Sequence, residues 1–262
     1  MSLVITPAVI LQTFRYSETS KVARLATRDL GVQSAIAKGA LRPKSRFGAG
    51  LEFLSEGEAQ LYYRDSRELH TLAAFDVANL RRGLAQDVAR FAGAAALAEI
   101  MIKIAPPAPV PAAYDALIEG LDRLAEAPAP AVEAAALRAL WRLVGELGFE
   151  PALRACVRDD TPIPASGDAP VAFSPAEGGV LCARCGTNPP TRLPRSDYED
   201  LLALNDPGAP LPALDDSHAA AHRRLLARFV RHHIEAPTLS ALDSWERRTW
   251  AQPPRTPTPA AS

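Results

Sequence analysis

Two short stretches carry residues with metal-ligand spacing: Cys156 and Asp159 in ALRACVRDD, and Cys182 and Cys185 in VLCARCG. Two thiolates separated by two residues can bind one zinc ion from a single turn, helped here by the following Gly186. A closed structural site takes four ligands, and the chain holds only three cysteines. Asp159, where a second Cys-x-x-Cys would put its thiol, is the candidate fourth, although three thiolates with one carboxylate is an uncommon structural set. A metal-free reading stands beside it. A thioredoxin-like redox role for CARC lacks the βαβ surroundings that it needs.

A different chemistry is offered by AIAKGALRPKSRFGAG, in which Lys38, Arg42, Lys44 and Arg46 put four cations into nine residues of a chain with formal net charge -1. Grooves that track single-stranded nucleic acid combine such cations with aromatic faces, each stacked base being worth roughly 1–3 kcal/mol. Phe14, Tyr16, Phe47, Tyr62 and Tyr63 are candidates for those faces. The plain alternative is a loop that is merely well solvated. His218 and His222 stand one helical turn apart, a chelating spacing, but no Glu follows the first His and no third ligand is near in sequence. A solvated or capping role beside Asp215 and Asp216 is expected for them. His232 and His233 suit the C-terminal end of the same helix. There is no GxxxxGK[ST], GxGxxG or GxSxG motif and no carboxylate clustering of the two-metal kind, so nothing recommends an enzyme.

The elements that must position these residues divide by texture. The 29 basic and 30 acidic side chains nearly cancel, so any polyanion-binding surface must arise from segregated charge. Residues 1 to 50 carry eight Lys or Arg against Glu18 and Asp29, whereas residues 51 to 80 carry six acids against Arg64 and Arg67. Up to about residue 75, short apolar or alternating runs broken by Gly, Pro and Ser predict five strands and a small barrel of the oligonucleotide-binding kind, or else a sandwich fragment. From Phe75 the text turns Ala- and Leu-rich and predicts packed helices. Leu137, Leu140, Trp141, Val144 and Leu147 mark one buried stripe, and prolines 106 to 111 and 128 to 130 mark the joints. In the helix DDSHAAAHRRLLARFVRHHIE, Leu225, Leu226, Phe229 and Val230 are the expected core face and Arg223, Arg224, Arg228 and Arg231 the expected solvated one. Leu84–Ile104 contains Asp87, Arg90, Glu99 and Lys103, which favours a core helix over a membrane span. The fold class is therefore α+β, with a barrel domain over residues 1–78 and a helical domain over 79–250. Residues 151–194 form a loop-rich insert and 251–262 an unfolded tail. The start of the chain lacks signal-peptide features, and a reducing cytoplasm is expected.

These residues also carry a family resemblance. Tyr16-Ser17-Glu18-Thr19-Ser20, the Gly31-to-Gly48 segment with AKGA and RPKSRFG, FSPAEGGVLCARC over Phe173 to Cys185, and the closing RFVRHHIE with LSALDSW resemble the RecO family of bacterial recombination mediators. The resemblance implies a five-stranded oligonucleotide-binding barrel, a helical domain and a zinc-finger-like insert that many members close with four cysteines. It also implies binding of single- and double-stranded DNA, annealing of complementary strands, and work with RecR that lets RecA replace single-strand-binding protein. By that analogy Lys38, Arg42, Lys44 and Arg46 contact DNA, a set extended to Arg15, Lys21 and Arg24. Zinc is the implied cofactor, with no nucleotide. Cys156, Cys182 and Cys185 match ligand positions, and Asp159 departs from the usual cysteine. The competing expectation is a protein-interaction module whose basic loop docks the acidic tail of single-strand-binding protein, or RecR, in place of DNA.

Overall fold

The computed structural model describes residues 2–48, 50–189, 191–233 and 238–248. The expected tail 251–262, and Ile234 and Glu235 of the expected closing helix, lie outside the described residues.

The first half is a closed barrel built by one strand that does double duty. β1 (Ser2–Arg15) pairs through its first half with β4 (Glu56–Tyr63), from Ser2 opposite Tyr63 to Val9 opposite Glu56. Its second half pairs with β2 (Lys21–Thr27), and the register shifts between Ile10 and Gln12. That irregularity lets the strand turn from one edge to the other. β2 pairs antiparallel with β3 (Gly31–Ala37), and a short parallel contact between β3 and β5 (Leu69–Asn79) closes the ring in the order β1-β2-β3-β5-β4. Ala8, Ile10, Ala23, Leu25, Ala35, Leu61 and Leu72 fill its interior. Strand alternation supplies these residues, and the alanines among the larger Ile and Leu suit the taper of a narrow barrel.

The change of texture at Phe75 is not yet a change of structure. Phe75 sits within β5, opposite Ala59, and is part of the barrel core. After a single 3-10 turn (Arg82–Ala85), α1 (Val88–Ile104) begins at Asp87, whose carboxylate accepts from the Arg90 backbone N–H at 2.9 Å. Leu84, expected in the helix, is buried in that preceding turn. α2 (Pro111–Glu126) takes Pro111 as its first residue, and α3 (Val132–Glu146) buries Leu137, Leu140, Trp141 and Val144 as predicted. α4 (Arg195–Leu204), α5 (Asp216–His233) and α6 (Ser240–Arg247) complete the helical half. In α5 the predicted core face is buried, but Arg223 is not solvated: its guanidinium reaches Glu133 at 2.7 Å and the Glu246 carbonyl at 3.2 Å. Between α3 and α4 lies the loop-rich insert, whose strands β6 (Val171–Ser174), β7 (Gly179–Leu181) and β8 (Thr191–Leu193) form a sheet ordered β7-β6-β8.

Barrel and helices share a hydrophobic core in which Val9, Leu11, Ala26 and Leu54 join the helical residues. At that junction the Arg81 side chain is 1% exposed; it is ion-paired with Glu56 of β4 and, at 2.6 Å, with Asp122 of α2, and donates to the Leu54 carbonyl. Removing one partner of a buried pair leaves the others uncompensated. Because Glu56 and Asp122 are 25% and 40% exposed, part of that loss is recovered by water. Arg81→Met is expected to lower unfolding free energy by about 2 kcal/mol in urea denaturation. Arg28→Ala, which breaks the solvated Arg28–Asp115 pair, should be indistinguishable from the parent.

Candidate functional site

The cations of the basic stretch occupy the connection from β3 to β4, a succession of tight turns over residues 38–48 and 50–55. Backbone bonds from Arg42 N–H to the Gly39 carbonyl (3.1 Å), Ser45 to Arg42 (3.0 Å) and Gly48 to Ser45 (3.2 Å) hold it compact. Gly39 stands at φ +75°, a conformation that a side chain would strain. Phe47 and Leu51, each 3% exposed, drop into the barrel core, while Lys38, Arg42, Lys44 and Arg46 remain exposed. Phe47 is therefore no stacking face. It plugs the barrel, with the Arg46 guanidinium 5.2 Å from its ring. Tyr63 is stacked on His70 at 4.5 Å, so only Phe14, Tyr16 and Tyr62 of the five predicted aromatic faces are exposed.

Strand register brings Arg15 and Lys21 to the same rim. Arg15 lies opposite Lys21, Lys21 lies opposite Ala37, and Lys38 follows directly. The Leu41 N–H donates to the Thr19 carbonyl at 3.0 Å, tying the loop to the β1–β2 turn. Arg24 is farther along β2, opposite Ser34, and alternates with the core residues Ala23 and Leu25, which puts it on the outer wall. Among the described residues none of these seven cations has a carboxylate oxygen within 4.0 Å.

The structure also unites the predicted ligands of the insert. Cys156, Asp159, Cys182 and Cys185 place their ligand atoms within 4.8 Å of one another. Cys156 and Asp159 flank a turn closed by the Asp160 N–H on the Cys156 carbonyl (2.9 Å), and the Gly186 N–H closes the other knuckle on the Cys182 carbonyl (2.7 Å). A side chain at Gly186 would meet the Ala172 Cβ at 2.5 Å, so the knuckle can lie against β6 only with glycine there. Asp159 Oδ2 is 3.4 Å from Cys182 Sγ, 3.2 Å from Cys185 Sγ and 2.7 Å from Arg184 Nη2. The Arg184 guanidinium, with the thiol donors and the Thr161 N–H, holds the Asp159 carboxyl far below the usual carboxylate range. The hydrogen bond to Asp159 in turn pushes the Cys185 thiol up to about 12. Three sulfurs and one anionic oxygen converging this closely form a donor set that fits a tetrahedral metal ion.

The two histidines differ from each other, and only His218 matches expectation. His218 has the capping surroundings predicted: its backbone N–H donates to Asp215 at 2.9 Å, and its ring Nδ1 meets the same carboxylate at 2.9 Å. His222 is buried, at 1% exposure, and faces Asp197 and Asp200 of α4, the third ligand that its own neighbourhood in sequence lacks. The three-residue spacing of those acids in SDYEDLL was the available signal, but only helix packing brings it to His222.

The closed barrel of this strand order, continuous with a helical bundle that carries a cysteine-knuckle insert, defines an oligonucleotide-binding-type barrel protein with a helical second half. More particularly, the chain belongs to the RecO family: the model of Recombination protein O N terminal matches residues 1–81 and that of Recombination protein O C terminal matches residues 85–242. It is 32% identical over 237 residues to DNA repair protein RecO of Anaeromyxobacter sp. (strain K), covering 86% of this chain and 89% of that one. The protein of the same name from Rubrobacter xylanophilus is 29% identical over 239 residues, covering 90% and 92%. That from Exiguobacterium sibiricum is 34% identical over 177 residues, covering 67% and 68%. No helix among the described residues is long and apolar enough to cross a membrane.

With its thiol pKa raised, Cys185 is almost wholly protonated at pH 8, and reaction with electrophiles runs through the thiolate. In chelator-treated protein at pH 8, Asp159→Ala should speed alkylation of Cys185 by at least about tenfold, read by mass spectrometry of the peptide. An unchanged rate would mean that Asp159 does not hold the proton on that sulfur.

Proposed function

We propose that the protein is a non-catalytic DNA-binding mediator of recombinational repair. The observation that carries this reading is the rim of six cations, Arg15, Lys21, Lys38, Arg42, Lys44 and Arg46, without carboxylate partners among the described residues, raised on a barrel of the oligonucleotide-binding type with Arg24 on its outer wall. Such a rim attracts phosphates of either single- or double-stranded DNA, and by neutralising them it lowers the repulsion between two strands, so that complementary strands pair without nucleotide hydrolysis. Lys38, Arg42, Lys44 and Arg46 read backbone and shape with little sequence preference, because the loop offers no paired donors and acceptors for base edges. Phe14 and Tyr16 lie on the adjoining hairpin and supply stacking surface. The names of the relatives, DNA repair protein RecO, support the same role. On this reading the protein acts in the cytoplasm with RecR, helping RecA to displace single-strand-binding protein.

Cys156, Asp159, Cys182 and Cys185 would hold a zinc ion that pins the two knuckles of the insert together; its contribution is structural. The residues that meet DNA are elsewhere, on the barrel.

A second reading is a protein-interaction module in which the basic loop docks an acidic peptide, such as the tail of single-strand-binding protein, in place of DNA; the exposed cations Lys38, Arg42, Lys44 and Arg46 would serve it equally.

Oligonucleotide anisotropy titrations separate the two. With about five phosphates neutralised at roughly -0.7 per contact, single-strand affinity should fall on the order of a hundredfold between about 50 and 200 mM salt. Replacing Lys38, Arg42, Lys44 and Arg46 together by Ala should weaken binding and flatten that slope, and annealing should slow in parallel. Annealing at the parent's rate in the fourfold variant would reject the rim as the site.

A further inference from the structure

Asp197 and Asp200 lie three residues apart on α4, and His218 and His222 four apart on α5, so each pair shares a face of its helix. The helices bring carboxylate oxygens of Asp197 and Asp200 and a ring nitrogen of His222 within 4.8 Å of one another. His222 Nε2 is 4.0 Å from Asp200 Oδ2, and His218 Nε2 is 3.6 Å from Asp197 Oδ1. These separations are too long for hydrogen bonds. They are close to what two ligands of one ion require, since donors at about 2.0–2.1 Å around a tetrahedral centre stand about 3.3 Å apart.

Burial supplies the independent observation. His222 is 1% exposed and Asp197 5% exposed, yet both ring nitrogens of His222 and Oδ1 of Asp197 are buried with no hydrogen-bond partner among the described residues. Buried polar atoms in folded proteins are overwhelmingly paired, so an unpaired imidazole aimed at an unpaired carboxylate asks for a partner. His218 adds an outer-shell feature: its Nδ1 is held by Asp215 at 2.9 Å, which directs Nε2 toward the cluster in the manner of carboxylate-oriented metal histidines.

We propose that Asp197, Asp200 and His222, with His218 at the edge, form a second metal site, distinct from the cysteine cluster, for a divalent first-row transition ion of the zinc type. Its donors are nitrogen and oxygen only, a set that suits zinc without thiolate chemistry. The ion would offset two neighbouring carboxylates and staple α4, which leaves the insert through β8, to α5 of the bundle. The site is independent of the DNA-binding reading.

The test compares the full-length parent with Asp200→Asn and His222→Gln after dialysis against zinc and removal of free metal. Asp200 is the safer substitution, its side chain being 27% exposed. The parent should retain one zinc per chain more than either variant, and that difference should persist when Cys182→Ser is added to all three. Zinc should also raise the melting temperature of the Cys182→Ser chain but not that of Cys182→Ser with Asp200→Asn, and should shift the His222 ring resonances. Equal zinc content in the parent and Asp200→Asn, or His222 resonances that zinc leaves unmoved, would overturn the site.

Discussion

A five-stranded barrel leaves a mouth that polypeptide must cover, because its interior is too narrow for bulk water and too apolar to be left open. Here the covering is done by the connection between β3 and β4, through Phe47 and Leu51. This single packing requirement fixes the geometry of the candidate interface. The loop must press its two large apolar side chains inward, and the cations that precede them in the same compact turns stay outward. Its compact turns then set the spacing of Lys38, Arg42, Lys44 and Arg46 more firmly than a free loop could. The rim is thus a by-product of closing the barrel, and mutations in the plug would disturb it without touching a charge.

The same logic of obligatory burial governs the junction of the two halves. β4 and α2 meet over Arg81, a guanidinium withdrawn from water and compensated by Glu56 and Asp122. A buried arginine of this kind adds less net stability than an apolar contact would, but it tolerates only one arrangement of its partners. The barrel is therefore held in a defined pose against the helices. A similar constraint operates in α5, where Arg223 leaves the solvated face to bridge Glu133 and the Glu246 carbonyl. Three segments of the helical half are tied together through that one side chain.

Local signals were read well where one face of an element decides its fate. Period-two runs marked the five strands, three-and-four spacing marked the stripe of α3, and prolines marked the helix joints, because side-chain direction follows from backbone geometry alone. The two-residue spacings of Cys156 with Asp159 and of Cys182 with Cys185 likewise announced two knuckles. Reading failed where a residue's partner is remote. Phe47 looked like a stacking face because nothing local reveals that a loop plugs a barrel. Leu84 reads as helical because its Ala-rich neighbours do, whereas it is buried in the 3-10 turn that precedes α1. His222 looked solvated because the acids that face it lie on another helix.

What the sequence by itself determined was composition of faces: which segments alternate, which are amphipathic, where charge is segregated, and which residues are chemically able to ligate a metal. Only the tertiary structure decided convergence. It paired β2 with both β1 and β3 in registers that set Arg15, Lys21 and Lys38 at one rim, and it brought the two knuckles within reach of each other. It also set Asp197 and Asp200 against His222. The physical reason is that side-chain orientation is fixed within a few residues by φ and ψ. Proximity between distant segments is fixed by the packing of the whole core, which no local pattern encodes.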